Sequence, residues 1–189
     1  MVKKLFSSLF LAILTIAFVI PTNGAWANTI DEDKINEVKP FINVFDENGN
    51  LIKSYTEKEM EQFYVNDNQL AVQKFGVQGA QKFPPAPKTY NFKKTTIKNN
   101  VWVKGGATFY DLKSIYINTN TKFKSLFIGV FNSGKKVHQM EVGGFTGGLS
   151  IPLKTYSMPD DYYSIQLYNG YPEGGSIVLS GGTVFYDKK

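Results

Sequence analysis

The last hundred or so residues contain seven β-type runs, each closed by a turn signal and spaced about ten residues apart, a rhythm that restricts the fold to an antiparallel β architecture. The runs cover 96–103, 107–118, 123–131, 136–142, 149–153, 162–168 and 176–186. Between them stand Gly105-Gly106, Asn132-Ser133-Gly134, Gly143-Gly144, Met158-Pro159-Asp160-Asp161 and the stretch from Asn169-Gly170 to Gly174-Gly175. The expected fold is therefore mainly β: an antiparallel β-sandwich or jelly-roll-like domain of about seven strands. The run Leu126-Phe127-Ile128-Gly129-Val130-Phe131 is apolar on both faces and belongs in the middle of a sheet. Tyr163-Ser164-Ile165-Gln166-Leu167 alternates, so one of its faces meets solvent. Gly181-Gly182 inside the last run predicts a bulge.

Upstream, the signals differ. The β-type runs 41–45 and 51–55 flank Asp46-Glu47-Asn48-Gly49-Asn50, and Asn-Gly there favours the positive φ of a hairpin turn. Thr56 and Glu59 then form a capping box, which predicts a helix of about ten residues from Glu57 to near Asn66. Asp46, Asn48, Asn50 and Glu57 also copy four oxygen positions of a calcium loop, a weak metal alternative because Leu51 stands where that loop needs glycine.

Charge divides the chain at the same place. Residues 28–83 hold ten carboxylates against six lysines, whereas 84–189 hold thirteen lysines against six carboxylates. Three of the four positions 84–87 are proline, which favours an extended, semi-rigid connection. The expected organisation is an acidic N-terminal arm over 28–83 (hairpin plus short helix), a proline-rich junction at 84–87 and a β-sandwich domain over 88–189. A hairpin and one helix make a weak core alone, so the arm either docks on the sandwich or stands apart, and the sandwich is expected to fold without it.

The first residues read as a targeting segment. Lys3 and Lys4 precede an apolar stretch from Leu5 to Ile20, and Ala25-Trp26-Ala27 is a small-residue cleavage site. The stretch is shorter than the ~20 residues a membrane span needs, so residues 1–27 are expected to be a signal peptide cleaved after Ala27. The mature chain then has no transmembrane segment and is secreted. A secreted chain of this size without cysteine suits a Gram-positive bacterium better than a disulfide-forming compartment.

Composition removes several chemistries. With no cysteine and one histidine, there is no thiol nucleophile, no Cys-ligated metal and no site needing two imidazoles. The single imidazole, His138, shares its strand face with Met140 and Val142 and reads as a satisfied structural residue. No cofactor is implied. Asp111, Glu141, Asp160, Asp161, Glu173 and Asp187 are the carboxylates available to a hydrolytic pair, and nothing in their spacing selects two.

What remains is a basic segment. Between residues 88 and 136 ten lysines face one carboxylate, Asp111, with Tyr90, Phe92, Trp102, Phe109, Tyr110, Tyr116 and Phe123 interleaved. Lys93, Lys94, Lys98, Lys104, Lys122, Lys124 and Trp102 are the candidate ligand-binding residues, with Tyr162, Tyr168 and Tyr171 as a surface-prone tyrosine set. Every basic residue of the chain is lysine, and the lack of arginine argues against nucleic acid, whose recognition favours bidentate guanidinium. The expected partners are a teichoic acid, a polysaccharide or an anionic lipid surface. The function this implies is that of a non-catalytic, secreted cell-surface binding protein. A toxin-like, membrane-active protein is the alternative, and a carboxylate-pair hydrolase the third.

Overall fold

The structure, a computed structural model, describes residues 37–65, 87–155 and 158–189. The signal-peptide reading, residues 28–36 and 66–83 of the arm and positions 84–86 of the junction lie outside the described residues.

The chain folds into twelve described strands, all paired antiparallel. They are β1 (Phe41–Asp46), β2 (Leu51–Tyr55), β3 (Lys88–Phe92), β4 (Thr95–Ile97), β5 (Asn100–Trp102), β6 (Phe109–Thr119), β7 (Leu126–Asn132), β8 (Lys135–Gly143), β9 (Gly147–Pro152), β10 (Tyr162–Asn169), β11 (Ile177–Leu179) and β12 (Gly181–Asp187). One layer has the order β2-β1-β8-β7-β10-β5, and the other β9-β6-β12-β3. The two are joined where Tyr162 and Tyr163 of β10 pair with Tyr110 and Phe109 of β6. A short β11-β4 ribbon joins neither ladder but packs Ile97, Ile177 and Leu179 into the common core. The molecule is thus mainly β and sandwich-like.

Period-2 alternation explains how the layers close. Leu126, Ile128 and Val130 of β7 point inward with Met140 and Val142 of β8 and Ile165 and Leu167 of β10. Ile115, Ile117, Leu149, Ile151 and Val184 answer from the other layer, and all belong to one apolar cluster. As its two-faced apolar pattern requires, β7 is central, between β8 and β10.

The described part of the acidic arm, residues 37–65, is part of this core. β1 pairs with β8 along its whole length, from Phe41 opposite Gly143 to Asp46 opposite His138. Ile42, Val44 and Met60 are buried in the same cluster as the sandwich residues. The capping box forms as the sequence requires: Thr56 Oγ1 accepts from the Glu59 amide, and the Thr56 amide donates to the Glu59 carboxylate. The helix it starts, α1 (Glu57–Met60), is much shorter than expected. A 3-10 turn, Glu61–Phe63, follows, and Tyr64 bridges to Leu149. Burial of Met60 and the edge contact of Phe63 with Tyr55, ring centroids 5.0 Å apart, end the helix before propensity would.

Two expected strands are each divided. Residues 96–103 split into β4 and β5, which pair with different partners, β11 and β10. Residues 176–186 split at Ser180, whose amide donates to the Asn118 carbonyl. The expected bulge at Gly181-Gly182 is absent, and the register of β12 shifts instead around Tyr186. Gly182 serves close approach: a Cβ there would lie 2.1 Å from the Phe92 ring. β3 was not expected as a strand; its Lys-Thr-Tyr-Asn-Phe sequence is mostly polar, which suits an edge strand paired only with β12. Among the described residues no helix is long and apolar enough to cross a membrane.

His138 departs from its sequence reading. It is 3% exposed on the inward face of β8, and neither ring nitrogen makes a hydrogen bond of full geometry, although the Leu153 main chain lies close enough to favour its charged form. Burial holds the imidazole pKa below its ordinary 6.5, with a partial offset from the Leu153 main chain. The folded state therefore refuses a proton that the unfolded chain takes up below about pH 6.5. Stability should be full above that pH and fall as pH drops through it. His138→Leu should flatten the melting temperature between about pH 7 and 5, since it replaces two nitrogens that lack a full hydrogen bond with apolar atoms. An unchanged pH profile would assign that dependence to other groups.

Candidate functional site

Four of the candidate residues meet in one cleft. Lys93, Lys94, Trp102 and Lys104 line a cavity of about 540 Å³ with Tyr90, Asn91, Phe92, Thr95, Val101, Val103, Gly105 and Leu167. Its volume lies within the range of small-ligand sites. The β3–β4 connection supplies Lys93 and Lys94, and β5 with the turn after it supplies the opposite wall. Both segments are short because they cross from one layer to the other, which opens a gap at the sandwich edge.

Each wall is held locally. Phe92 is seated over the Gly182 backbone. The Thr95 hydroxyl donates to the Lys93 carbonyl at 2.8 Å, tightening the turn. Trp102 is 38% exposed and packs against Phe131 at a tilt, with centroids 5.1 Å apart. Lys104 has φ of 52°, a left-handed conformation that costs a residue with a Cβ roughly 1 kcal/mol. That backbone carries its ammonium over Tyr90 at 5.4 Å and over Phe109 at 5.8 Å. Strain of this kind at a rim residue marks a position set by more than local preference.

The electrostatics are one-sided. The lining contains three lysines and no carboxylate. Lys93, Lys94 and Lys104 are all exposed, and their charges face a partly apolar wall that strengthens their field relative to open water. Lysine here offers charge to an anionic group, and Trp102, Tyr90 and Phe92 offer apolar faces to a flat ring.

The other candidates lie elsewhere. Lys122, Lys124 and Tyr171 line a hollow of about 50 Å³, in which the Lys124 ammonium sits 3.9 Å from the Tyr171 ring centre. Lys98 adjoins it through its carbonyl, which accepts from Asn169 at 3.1 Å. Tyr162 is at the opposite end of β10 from Tyr168, stacked with Tyr110 at 5.2 Å and close to the Lys189 ammonium. The three tyrosines therefore form no single patch. Of the interleaved aromatics, Phe109, Tyr116 and Phe123 are buried in the two apolar clusters. Tyr90 and Phe92, which alternation on an unexpected strand conceals, line the cleft instead.

The carboxylates are engaged. Both Asp46 oxygens close their own turn, accepting from the Asn48 and Asn50 amides and from the Asn50 side chain, and these bonds lower its pKa. Glu57 stands apart from that turn, in the first turn of α1. Asp111, 5% exposed and at φ of 43°, binds both Lys113 and Lys154. Lys113 also reaches Asp187 at 3.1 Å, and Lys154 reaches Asp160. Burial pushes the Asp111 carboxyl up, but the hydrogen bonds from Lys113 and Lys154 outweigh it and bring the pKa down to about 2. Asp161 caps the Tyr162 amide and accepts from Asn132. Glu141 accepts from Asn43 and Ser125. Among the described residues no group of three or more His, Asp or Glu side chains is placed to hold a metal ion.

Comparison with protein-family models, curated proteins and solved structures finds no match to this chain. Its function has to be read from the site.

Proposed function

We propose that this is an exported, non-catalytic binding protein of a Gram-positive cell surface, and that it holds an anionic envelope polymer in the cleft between β3–β4 and β5. One observation carries the reading: three lysines and three exposed or half-buried aromatics converge on a cavity without a single carboxylate. Lysine supplies point charge without the rigid fork of arginine, which suits a repetitive polymer better than one fixed anion. The signal-peptide pattern over 1–27 accounts for contact with the envelope.

The test uses the chain's own tryptophan. Trp102 and Trp26 are the two tryptophans, so in a chain starting at Asn28 the fluorescence reports the cleft alone. Titration with lipoteichoic acid should shift Trp102 emission, with affinity falling steeply as salt rises. The Debye length shrinks from ~10 Å at 0.1 M to ~3 Å at 1 M. Lys93→Glu, Lys94→Glu and Lys104→Glu together should abolish the response, while the melting temperature moves little because exposed positions contribute within about 0.5 kcal/mol each. Salt-insensitive binding that survives the triple reversal would sink the reading. Release of dye from anionic vesicles at the same protein concentration would favour a membrane-active protein in its place.

A further inference from the structure

The cleft does not end at Trp102. On the outer face of the β2-β1-β8-β7-β10-β5 layer, alternation turns the side chains of Trp102 and Asn100 on β5, Gln166 and Tyr168 on β10, Phe127 and Phe131 on β7, and Phe45 on β1 away from the core. Trp102 packs against Phe131 at 5.1 Å with the rings tilted by 60°, and Phe127 lies 6.5 Å from Phe45 across β8. Tyr168 is opposite Phe127 in the ladder. Between these rings β7 carries Gly129, where a Cβ would lie 2.8 Å from Tyr168 and 2.9 Å from Phe131. A side chain at 129 would force both rings off the sheet; glycine lets them lie down over the backbone. The rings are half-buried and remain open to solvent.

Amides border this row. Gln166 Nε2 donates to Asn100 Oδ1 at 3.0 Å, beside Trp102. Gln139 and Asn43 lie on the same face toward Phe45. Lowered rings flanked by amide groups match the two faces of a sugar, apolar C–H surface and hydroxyl edge. A lipid surface is served instead by apolar side chains that project, and a polyol phosphate offers no ring to stack. The row crosses five strands, or four inter-strand spacings, about 19 Å in all. That length suits several sugar units in sequence. Its basic groups are the cleft lysines and Lys136, which donates to Gln139 at 3.1 Å, and its far end holds Glu141, bound to Asn43 and Ser125. The polymer's acidic residues therefore belong at the cleft and its uncharged sugars over Phe131, Tyr168 and Phe127.

We infer that the polymer is an acidic polysaccharide whose sugar rings run from the lysine cleft across Gly129 on the aromatic row Trp102–Phe131–Tyr168–Phe127–Phe45. The inference rests on the proposed cleft reading, with which it shares Trp102, and names the chemical class of its ligand.

Three probes at one salt concentration separate the possibilities: hyaluronan oligosaccharides of graded length, in which acidic and neutral sugars alternate; inorganic polyphosphate, which is anionic and ringless; and vesicles of phosphatidylglycerol. With the unaltered chain, hyaluronan affinity should rise about tenfold or more from the disaccharide to the decasaccharide, since each added ring gains a stacking partner. Phe131→Ala and Tyr168→Ala should each lower decasaccharide affinity about tenfold and leave polyphosphate affinity unchanged. The length series needs no variant, so it decides the matter if either substitution unfolds the chain. Affinity that is already complete at the disaccharide, or aromatic variants that bind as the unaltered chain does, would overturn the polysaccharide row while leaving the lysine cleft standing. Equal affinity for polyphosphate and the decasaccharide would likewise overturn it. Retention by vesicles alone would overturn the row and the cleft together.

Discussion

A chain that begins at residue 87 should fail to melt cooperatively. Dense apolar alternation after Pro87 makes the strand-rich part look self-sufficient, yet Ile42, Val44 and Met60 complete its core from outside that range. Each is 7% exposed or less, and full burial of such a side chain contributes about 1.5–3 kcal/mol. Their joint loss, of order 5–9 kcal/mol, rivals the whole stability of a typical domain, about 5–15 kcal/mol. Truncation also strips β8 of its pairing from Gly143 to His138, leaving the edge of a long strand exposed. Calorimetry of residues 87–189 beside residues 28–189 measures this directly. The expected trace for the short chain has no sharp transition, with aggregation through the β8 edge. A cooperative melt within a few degrees of the longer chain would show that β1, β2 and α1 decorate the sandwich instead of completing it.

Asp111→Asn should cost about 2 kcal/mol at neutral pH and lower the melting temperature by roughly 4–8 °C. The carboxyl ties together Lys113 on β6, Lys154 beyond β9 and, through them, Asp187 and Asp160. Its folded pKa of about 2 lies below the ordinary 3.8, so its contribution is present above about pH 4 and lost as pH falls toward 2. Asparagine keeps the backbone preference that φ of 43° demands and removes only the charge. The lysines are about a third exposed and can turn to water, which keeps the loss below that of a sealed ion pair. The Asn variant should also lack the acid step between about pH 4 and 2 that the unaltered chain shows. A cost under about 0.5 kcal/mol would class the network with ordinary surface pairs.

How far the sequence reaches depends on the range of the interaction. The hairpin around Asn48-Gly49 and the start of α1 at Thr56 follow from contacts a few residues apart and both form, although only Gly49 takes a positive φ, so the turn is not the type I′ that Asn-Gly favours. The mainly β class and the central place of β7 follow from periodicity, which each strand carries by itself. The end of α1 does not, because Met60 is drawn into the sandwich core and Tyr64 then bridges to Leu149, far away along the chain. Nor does the split of residues 95–102 into β4 and β5, since nothing local says that one half will pair with β11 and the other with β10. The same limit governs the site. Composition marked a basic, aromatic segment, but it could not tell Lys93, Lys94 and Lys104, which share a cleft, from Lys98, Lys122 and Lys124, which do not. It could not remove Phe109, Tyr116 and Phe123 from the surface or bring Phe131 to Trp102. Charge, period and turn chemistry were determined by the sequence alone, because they act between near neighbours. Which side chains face one another was decided only by the pairing of distant strand edges, whose register places residues from opposite ends of the chain within a few ångströms.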